Sequence, residues 1–118
     1  MIEIKLIEKA LLIRRFEELL LKLFKSGKLN GTIHTCIGQE FIGVAISEYL
    51  NMGDSMFSNH RGHGHFIAFT GNVEGLLSEI MGKANGVCGG IGGSQHIYYN
   101  NFYSNLSCYS QSFCGNID

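Results

Sequence analysis

Residues 3–26 carry the strongest structural signal in the chain, an apolar pattern with the period of an α-helix, and predict one long helix over this range. Apolar side chains recur at three- and four-residue steps from Leu6 to Phe24, and the charged side chains, Glu17 among them, are expected on the other face. Gly27 follows as a left-handed helix terminator. Five more leucines widen the apolar stripe: Leu11, Leu12, Leu19, Leu21 and Leu23. A helix this broadly apolar predicts burial on two sides, either against a second subunit or inside one larger domain.

Shorter elements are predicted downstream, separated by turns that rely on glycine and asparagine. The patterns predict a helix over residues 38–50, a brief strand over 55–58, a helical run ending at Gly71 and a helix over 73–81. Asn72 is the expected N-cap of the last helix. The second helix is expected to bury one apolar side made of Phe41, Ile42, Ala45, Ile46, Tyr49 and Leu50. The order of elements indicates an α/β chain that is rich in helix.

Composition narrows the possible classes of protein. The 118 residues suffice for one domain, and a net charge of -1 gives no basic field that would favour nucleic acid. Charges interrupt every apolar run before it reaches the roughly 18 residues that a membrane span needs. Four scattered cysteines without Cys-x-x-Cys spacing are typical of a reduced, cytoplasmic protein, and Cys36 and Cys88 are expected to serve packing. We therefore expect a cytoplasmic chain that binds neither nucleic acid nor membrane.

Residues 60–65 read His-Arg-Gly-His-Gly-His and form the most chemically dense segment of the chain. A guanidinium fork matches phosphate oxygens, and glycines let a ligand approach the backbone, so the segment indicates anion binding. A zinc cluster of His60, His63 and His65 is the competing interpretation. It is disfavoured because their spacing does not converge on one face and no carboxylate is adjacent in the sequence.

Two further segments accompany it. A loop over residues 28–37 presents His34. Six of the twelve residues from Gly82 to Gly93 are glycine, with neither a Walker spacing nor a Gly-x-Gly-x-x-Gly spacing, and Ser94 and His96 follow at once. A ligand-facing loop is the favoured interpretation, and a merely flexible connection is the alternative. The aromatic strip of Tyr98, Tyr99, Phe102 and Tyr103 is expected to be buried in a core or an interface.

Taken together these motifs resemble the alpha subunit of the thiamine-diphosphate-dependent 2-oxo acid dehydrogenases, the first component of the pyruvate, branched-chain and acetoin dehydrogenase complexes. The matching blocks are residues 14–17 (Arg-Arg-Phe-Glu), 31–34 (Gly-Thr-Ile-His), 37–40 (Ile-Gly-Gln-Glu), 57–65, 81–84 (Met-Gly-Lys-Ala), 92–96 (Gly-Gly-Ser-Gln-His) and 101–103 (Asn-Phe-Tyr). The resemblance implies the N-terminal part of a thiamine-diphosphate-binding, transketolase-like α/β fold. Residues 1–105 would form this part, and residues 106–118 a non-matching tail.

The resemblance also implies partners and roles. The parent enzyme would pair with a beta subunit and a second alpha subunit, decarboxylate a 2-oxo acid on thiamine diphosphate, and pass the acyl group to a lipoyl-bearing acyltransferase. Arg61 corresponds to the arginine that binds the cofactor diphosphate, with His60 beside it, and Ser94 and His96 to further cofactor-binding positions. His34 and His63 correspond to catalytic positions.

No metal ligand is assigned to this chain, because the Asp and Asn that hold Mg²⁺ in this family lie in a segment with no counterpart here. The resemblance stops at Asn105, so we expect a truncated or frameshifted fragment that is inactive alone. A non-catalytic interaction or oligomerisation module, built on the long apolar helix and the aromatic strip, is the alternative.

Overall fold

The computed structural model describes residues 3–29 and 31–105 of the chain. Within these ranges lie four helices and three short strands. In order they are α1 (Ile4–Lys25), α2 (Glu40–Ser47), β1 (Met56–Ser58), α3 (His63–Thr70), α4 (Val73–Ile80), β2 (Tyr98–Tyr99) and β3 (Phe102–Ser104). The chain is therefore helix-rich with a small sheet, which agrees with the predicted α/β class. The predicted non-matching tail, residues 106–118, lies outside the described residues.

Helix α1 begins and ends close to its predicted bounds. Gly27 adopts a φ of 77°, and the Lys28 N–H donates to the Leu23 carbonyl at 3.0 Å, so the left-handed termination is confirmed. One face of α1 is buried in the core through Ala10, Ile13, Phe16 and Leu20. The prediction that Glu17 lies on the polar face is wrong, because its side chain is fully buried. Leu6 and Leu23 are partly buried against this core, and much of the remaining apolar stripe is exposed in this chain, at Ile4, Ile7, Leu11, Leu12, Leu19, Leu21 and Phe24.

Helix α2 is shorter than predicted and buries a different face. Five of the six side chains expected in the core are exposed, namely Phe41, Ile42, Ala45, Ile46 and Tyr49, whereas the sixth, Leu50, is partly buried against the core. The buried face is made by Glu40, Gly43 and Val44 instead. A Cβ at Gly43 would lie 2.8 Å from His65 Cδ2 and 3.0 Å from His65 Cα, so α2 packs on α3 through a glycine contact. The apolar pattern predicted the wrong face because the closest helix contact here involves a residue without a side chain.

The sheet has the strand order β1-β3-β2. β1 runs parallel to β3, with Met56 opposite Phe102, and β2 is antiparallel to β3. The β2–β3 turn contains Asn100 and Asn101 at φ of 45° and 67°, the positive values that a type I′ hairpin needs. The sequence pattern predicted burial of this aromatic strip but missed its two strands. Burial is confirmed for Phe102, whereas Tyr98 at the edge is largely exposed.

The core lies between α1, α3, α4 and the sheet. The Phe66 ring packs edge-on against Phe102 at a centroid distance of 5.2 Å and lies tilted against Tyr99 at a centroid distance of 5.7 Å. The predicted cap of α4 is confirmed, since Asn72 Oδ1 accepts a hydrogen bond from the Gly75 N–H at 2.9 Å. In residues 3–29 and 31–105, no helix has the length and apolar character needed to cross a membrane.

Candidate functional site

Residues 60–65 span the junction between β1 and α3 and include the first turn of α3, so their side chains lie where a strand gives way to a helix, as the sequence predicts. Gly62 makes this junction tight. A Cβ at this position would lie 2.9 Å from Ser58 Oγ and 3.0 Å from the Asn59 carbonyl oxygen. The Arg61 N–H donates to Asn59 Oδ1 at 2.9 Å, and α3 starts directly afterwards at His63. The local backbone therefore fixes where the Arg61 and His63 side chains begin.

Three of the predicted site residues come together on one side of this junction. The His34 and His60 rings meet edge to face with centroids 4.9 Å apart. Arg61 Nη1 donates to the Thr35 carbonyl at 2.6 Å, which ties the guanidinium to the loop that presents His34. Arg61 is exposed, and within the described part of the chain it forms no ion pair with a carboxylate. A guanidinium and two imidazoles therefore form a cluster of donors whose positive charge is not balanced locally.

His63 lies on the other side of the junction and is fully buried. Its Nδ1 is 2.8 Å from Glu17 Oε1, while its Nε2 is 3.0 Å from the Ser94 carbonyl oxygen and 2.9 Å from Ser94 Oγ. In this arrangement His63 links α1 to the end of the glycine-rich loop and does not face solvent. The catalytic role predicted for His63 stays a prediction.

Glu17 is the partner that the sequence analysis missed. Its second oxygen, Oε2, accepts a hydrogen bond from the Cys36 N–H at 2.7 Å, so both oxygens are used. One signal was available, because Glu17 lies four residues after Ile13 and three before Leu20 and so falls on the buried stripe of α1. A charged residue in that register is unusual in a core unless it has partners.

The glycine-rich loop is organised by a second buried carboxylate, Glu79 on α4. Glu79 Oε1 accepts hydrogen bonds from the N–H groups of Cys88 at 2.6 Å and Gly90 at 2.8 Å. Glu79 Oε2 accepts from Gly92 at 2.7 Å and Gly93 at 3.0 Å. The loop therefore wraps around one carboxylate and is not merely a flexible connection.

Glycine is required in this loop by close contacts as well as by backbone angles. A Cβ at Gly86 would lie 2.5 Å from Glu79 Cα, and one at Gly90 would lie 2.6 Å from the Lys83 carbonyl oxygen. Gly90 also has a φ of 81°. The signal for Glu79 was its position three residues after Leu76, on the buried face of α4, directly before a run of glycines.

Ser94, Gln95 and His96 follow the loop and connect the two halves of the site. Gln95 Nε2 lies 3.3 Å from Thr32 Oγ1 and donates to it, which places the end of this loop against the segment that presents His34. Ser94 and His96 are both partly buried, and the His96 N–H donates to the Gly92 carbonyl at 3.2 Å. Ser94 therefore belongs to the His63 side of the site. The cofactor-binding roles predicted for Ser94 and His96 stay predictions.

His65 has a partner of its own. Its Nδ1 lies 2.5 Å from Ser58 Oγ, and burial lowers the pKa of the His65 imidazole below its usual value. His60, His63 and His65 thus contact three separate groups. In the described residues no three His, Cys, Asp or Glu side chains are grouped in a way that could hold a metal ion.

The thiols differ from catalytic cysteines. Cys36 is buried, and burial together with the nearby Glu17 carboxylate raises the pKa of its thiol to about 12. Burial likewise raises the pKa of the Cys88 thiol, whose Sγ donates to the Tyr98 carbonyl at 3.2 Å. Both cysteines are free. The expected packing role of Cys36 is confirmed.

An ion pair holds the loop before α2. Arg14 Nε lies 2.6 Å from Glu40 Oε2, and the same oxygen accepts from the Gly38 N–H at 2.9 Å. The hydrogen bond from Arg14 lowers the pKa of the Glu40 carboxyl below its usual value, even though burial opposes the shift. The pair therefore joins two of the motif blocks, one on α1 and one at the start of α2.

Comparison with known proteins identifies the family of the chain. Residues 8–111 match the family described as dehydrogenase E1 component. The chain is 47% identical over 90 residues to the alpha subunit of acetoin:2,6-dichlorophenolindophenol oxidoreductase from Bacillus subtilis, covering 76% of this chain and 27% of that protein. It is 36% identical over 96 residues to the alpha subunit of the pyruvate dehydrogenase E1 component from Rhizobium meliloti, covering 81% of this chain and 28% of that protein.

The Rickettsia prowazekii pyruvate dehydrogenase E1 alpha subunit is 39% identical over 102 residues, covering 85% of this chain and 31% of that protein. The chain thus spans between a quarter and a third of the length of these curated relatives. The family match covers most of the chain and includes all the blocks that carry the predicted site. The chain therefore belongs to the dehydrogenase E1 component family, and the relatives it matches are alpha subunits.

Proposed function

We propose that this chain supplies the diphosphate-binding part of the alpha subunit of a thiamine-diphosphate-dependent 2-oxo acid dehydrogenase. The observation that carries the proposal is the cluster of His34, His60 and Arg61, in which the guanidinium is anchored by the Thr35 carbonyl and faces no carboxylate in the described residues. A cluster of one exposed guanidinium and two half-buried imidazoles fits a dianionic or trianionic ligand, because planar and ring N–H donors match phosphate oxygens.

The residues of the cluster have separate tasks. Arg61 uses Nη1 to bind the Thr35 carbonyl, so its remaining N–H groups are oriented before a ligand arrives. His60 contributes a second donor beside it, and the His34 ring, held edge-on against His60, is placed to donate or move a proton. Ser94 and His96 would add cofactor contacts from the glycine-rich loop. When bound, thiamine diphosphate supplies the nucleophilic carbon for decarboxylation of the substrate.

Membership of the family supports a proposal for the parent enzyme. We propose a cytoplasmic enzyme with a transketolase-like fold, in which residues 1–105 belong to the alpha-subunit domain. Its partners are a beta subunit, a second alpha subunit and a lipoyl-bearing acyltransferase that receives the acyl group. Its Mg²⁺ ligands would come from outside this set of residues, so the chain alone is expected to be inactive.

A second candidate concerns the substrate. The alpha subunits of the acetoin oxidoreductases from Bacillus subtilis and Cupriavidus necator are each 47% identical to this chain over 90 and 85 residues, whereas the pyruvate dehydrogenase subunits from Rhizobium meliloti and Rickettsia prowazekii are 36% and 39% identical. This difference favours a parent enzyme that acts on acetoin, a hydroxy ketone, over one that acts on pyruvate.

The proposal is tested by binding. Calorimetric titration of the full chain with thiamine diphosphate and with inorganic pyrophosphate, with and without a beta subunit, should give measurable affinity. Arg61→Ala should weaken binding by about 1.5–3 kcal/mol, the worth of a charged hydrogen bond. Arg15→Ala is the matched control, because Arg15 is also an exposed arginine but lies on α1 beside Glu18.

Two results would count against the proposal. Equal losses for the Arg61 and Arg15 variants would show that only overall charge matters. A folded chain with no affinity for either ligand, even with a beta subunit, would favour the interaction module instead.

A further inference from the structure

Glu17, His63 and Ser94 lie in the order of an acid–histidine–serine triad. The carboxylate oxygen Oε1 is 2.8 Å from Nδ1, and Nε2 is 2.9 Å from the serine hydroxyl. In a hydrolase this order makes the histidine a base that takes the serine proton. The geometry here has one further contact, which decides against that chemistry.

The additional contact is the Ser94 carbonyl oxygen, 3.0 Å from His63 Nε2. A carbonyl oxygen can only accept a hydrogen bond, so Nε2 carries a proton if this contact is a hydrogen bond. A nitrogen that already carries a proton cannot act as a base toward Ser94 Oγ. The hydroxyl oxygen then accepts from the same N–H, and its own hydrogen is free to be donated elsewhere.

The other ring nitrogen faces a carboxylate that is prepared to be ionised. Glu17 Oε2 accepts the Cys36 N–H at 2.7 Å, a hydrogen bond that favours the ionised carboxylate. The proton between Oε1 and Nδ1 therefore belongs to Nδ1. The Phe16 ring covers the edge of His63 at a centroid distance of 6.2 Å, and both members of the pair are fully buried.

We propose that Glu17 is a positioning residue that keeps His63 protonated on both ring nitrogens. The Nε2–H of His63 then donates to Ser94, and the Ser94 hydroxyl is left to donate its hydrogen to an anionic ligand. Ser94 is thus a binding residue and not a nucleophile. The protonation of His63 stands on the contacts alone, whereas the ligand rests on the proposed function. The pair also ties the Ser94 end of the glycine-rich loop to α1 and to the start of α3.

The direct test needs no variant. In the full chain labelled with ¹⁵N-histidine, the ring nitrogen shifts of His63 should be those of a ring that carries a proton on both nitrogens, in the buffer used for the binding titrations. A neutral ring with its proton on Nδ1 would restore the triad chemistry, and a neutral ring with its proton on Nε2 would place the proton on Glu17. Either result would overturn the inference.

A variant pair supplies the second measurement. Glu17→Gln should leave His63 neutral with its proton on Nε2, because the amide donates to Nδ1, and should weaken inorganic pyrophosphate binding by about fivefold as a charge-assisted bond becomes a neutral one. Glu18→Gln, at the neighbouring and more exposed position, should change neither the His63 spectrum nor the affinity.

The hydroxyl is tested by Ser94→Ala, which should weaken pyrophosphate binding by roughly tenfold or more. Full affinity in this variant, alongside a loss in Arg61→Ala, would refute the donor role of Ser94 and leave the proposed function intact. If Arg61→Ala kept full affinity, the proposed function would fail, and the His63 spectrum would still decide whether Glu17 holds the proton there.

Discussion

Replacing Glu79 by glutamine is expected to destabilise the chain more than the same replacement of Glu74, the other glutamate of α4. The carboxylate accepts four backbone N–H bonds, two on each oxygen, from Cys88, Gly90, Gly92 and Gly93. A glutamine keeps the shape but turns one oxygen into an NH₂ group, so two N–H donors would face another donor. An unsatisfied buried donor costs about 1–3 kcal/mol, so the expected loss is about 2–6 kcal/mol.

Urea unfolding of the full chain measures this loss. A slope of about 2 kcal/mol per molar predicts that the unfolding midpoint falls by about 1–3 M. Glu74→Gln is the matched control, since Glu74 is an exposed residue in the first turn of the same helix, and it should cost only about 0.3–1 kcal/mol through the helix dipole.

Amide hydrogen exchange locates the effect. In the unchanged chain the N–H groups of Gly90, Gly92 and Gly93 should exchange as slowly as those of α4, although they belong to a loop. In Glu79→Gln they should exchange much faster. If the two glutamine variants lost equal stability, or if these loop amides exchanged freely in the unchanged chain, the carboxylate would not organise the loop.

Three other predictions follow from contacts in the core. Gly43→Ala should lower the unfolding midpoint in urea, because the new Cβ would lie 2.8 Å from the His65 ring. This clash should outweigh the better helix propensity of alanine. A variant more stable than the unchanged chain would contradict the α2–α3 contact. Arg14 lowers the pKa of the Glu40 carboxyl in the folded chain, so this ion pair stabilises the fold above the unfolded pKa of Glu40 and stops doing so as the pH falls through the folded pKa. Arg14→Gln should therefore make the free energy of unfolding less dependent on pH in the acid range. Identical pH profiles for the two chains would refute this. Cys36 should resist alkylation until urea unfolds the chain, and rapid labelling of the native protein would contradict its raised pKa and burial.

The sequence predicted correctly those helices in which the apolar period and the residues at the helix ends indicate the same bounds. Helix α1 and helix α4 have regular apolar spacing and clear ends at Gly27 and Asn72, and both were found within one residue of their predicted bounds. The β2–β3 hairpin was missed because strands of two and three residues are too short to show alternation, and its turn uses two asparagines instead of Asn-Gly. The pairing of β2 with β3, and of β3 with β1, is visible only in the folded chain.

The candidate site was predicted in part for a related reason. The resemblance brought His34, His60 and Arg61 together, and the structure does place them in contact or in adjacent positions. Glu17 and Glu79 were missed because a charged residue at a helix position is ordinarily assigned to the solvent-facing side. Only the folded chain shows that each carboxylate has backbone donors from a distant loop.

The two buried glutamates solve the same physical problem. Loops that carry binding residues lack the hydrogen bonds of a helix or sheet, and their buried N–H groups need other acceptors. Glu17 supplies an acceptor to the loop before α2, and Glu79 supplies four bonds to the glycine-rich loop. Both glutamates lie on the buried faces of helices, so the packed helices fix the positions of the loops that bind these carboxylates. Substitutions that remove either carboxylate should therefore loosen the site without touching any residue that would bind the ligand.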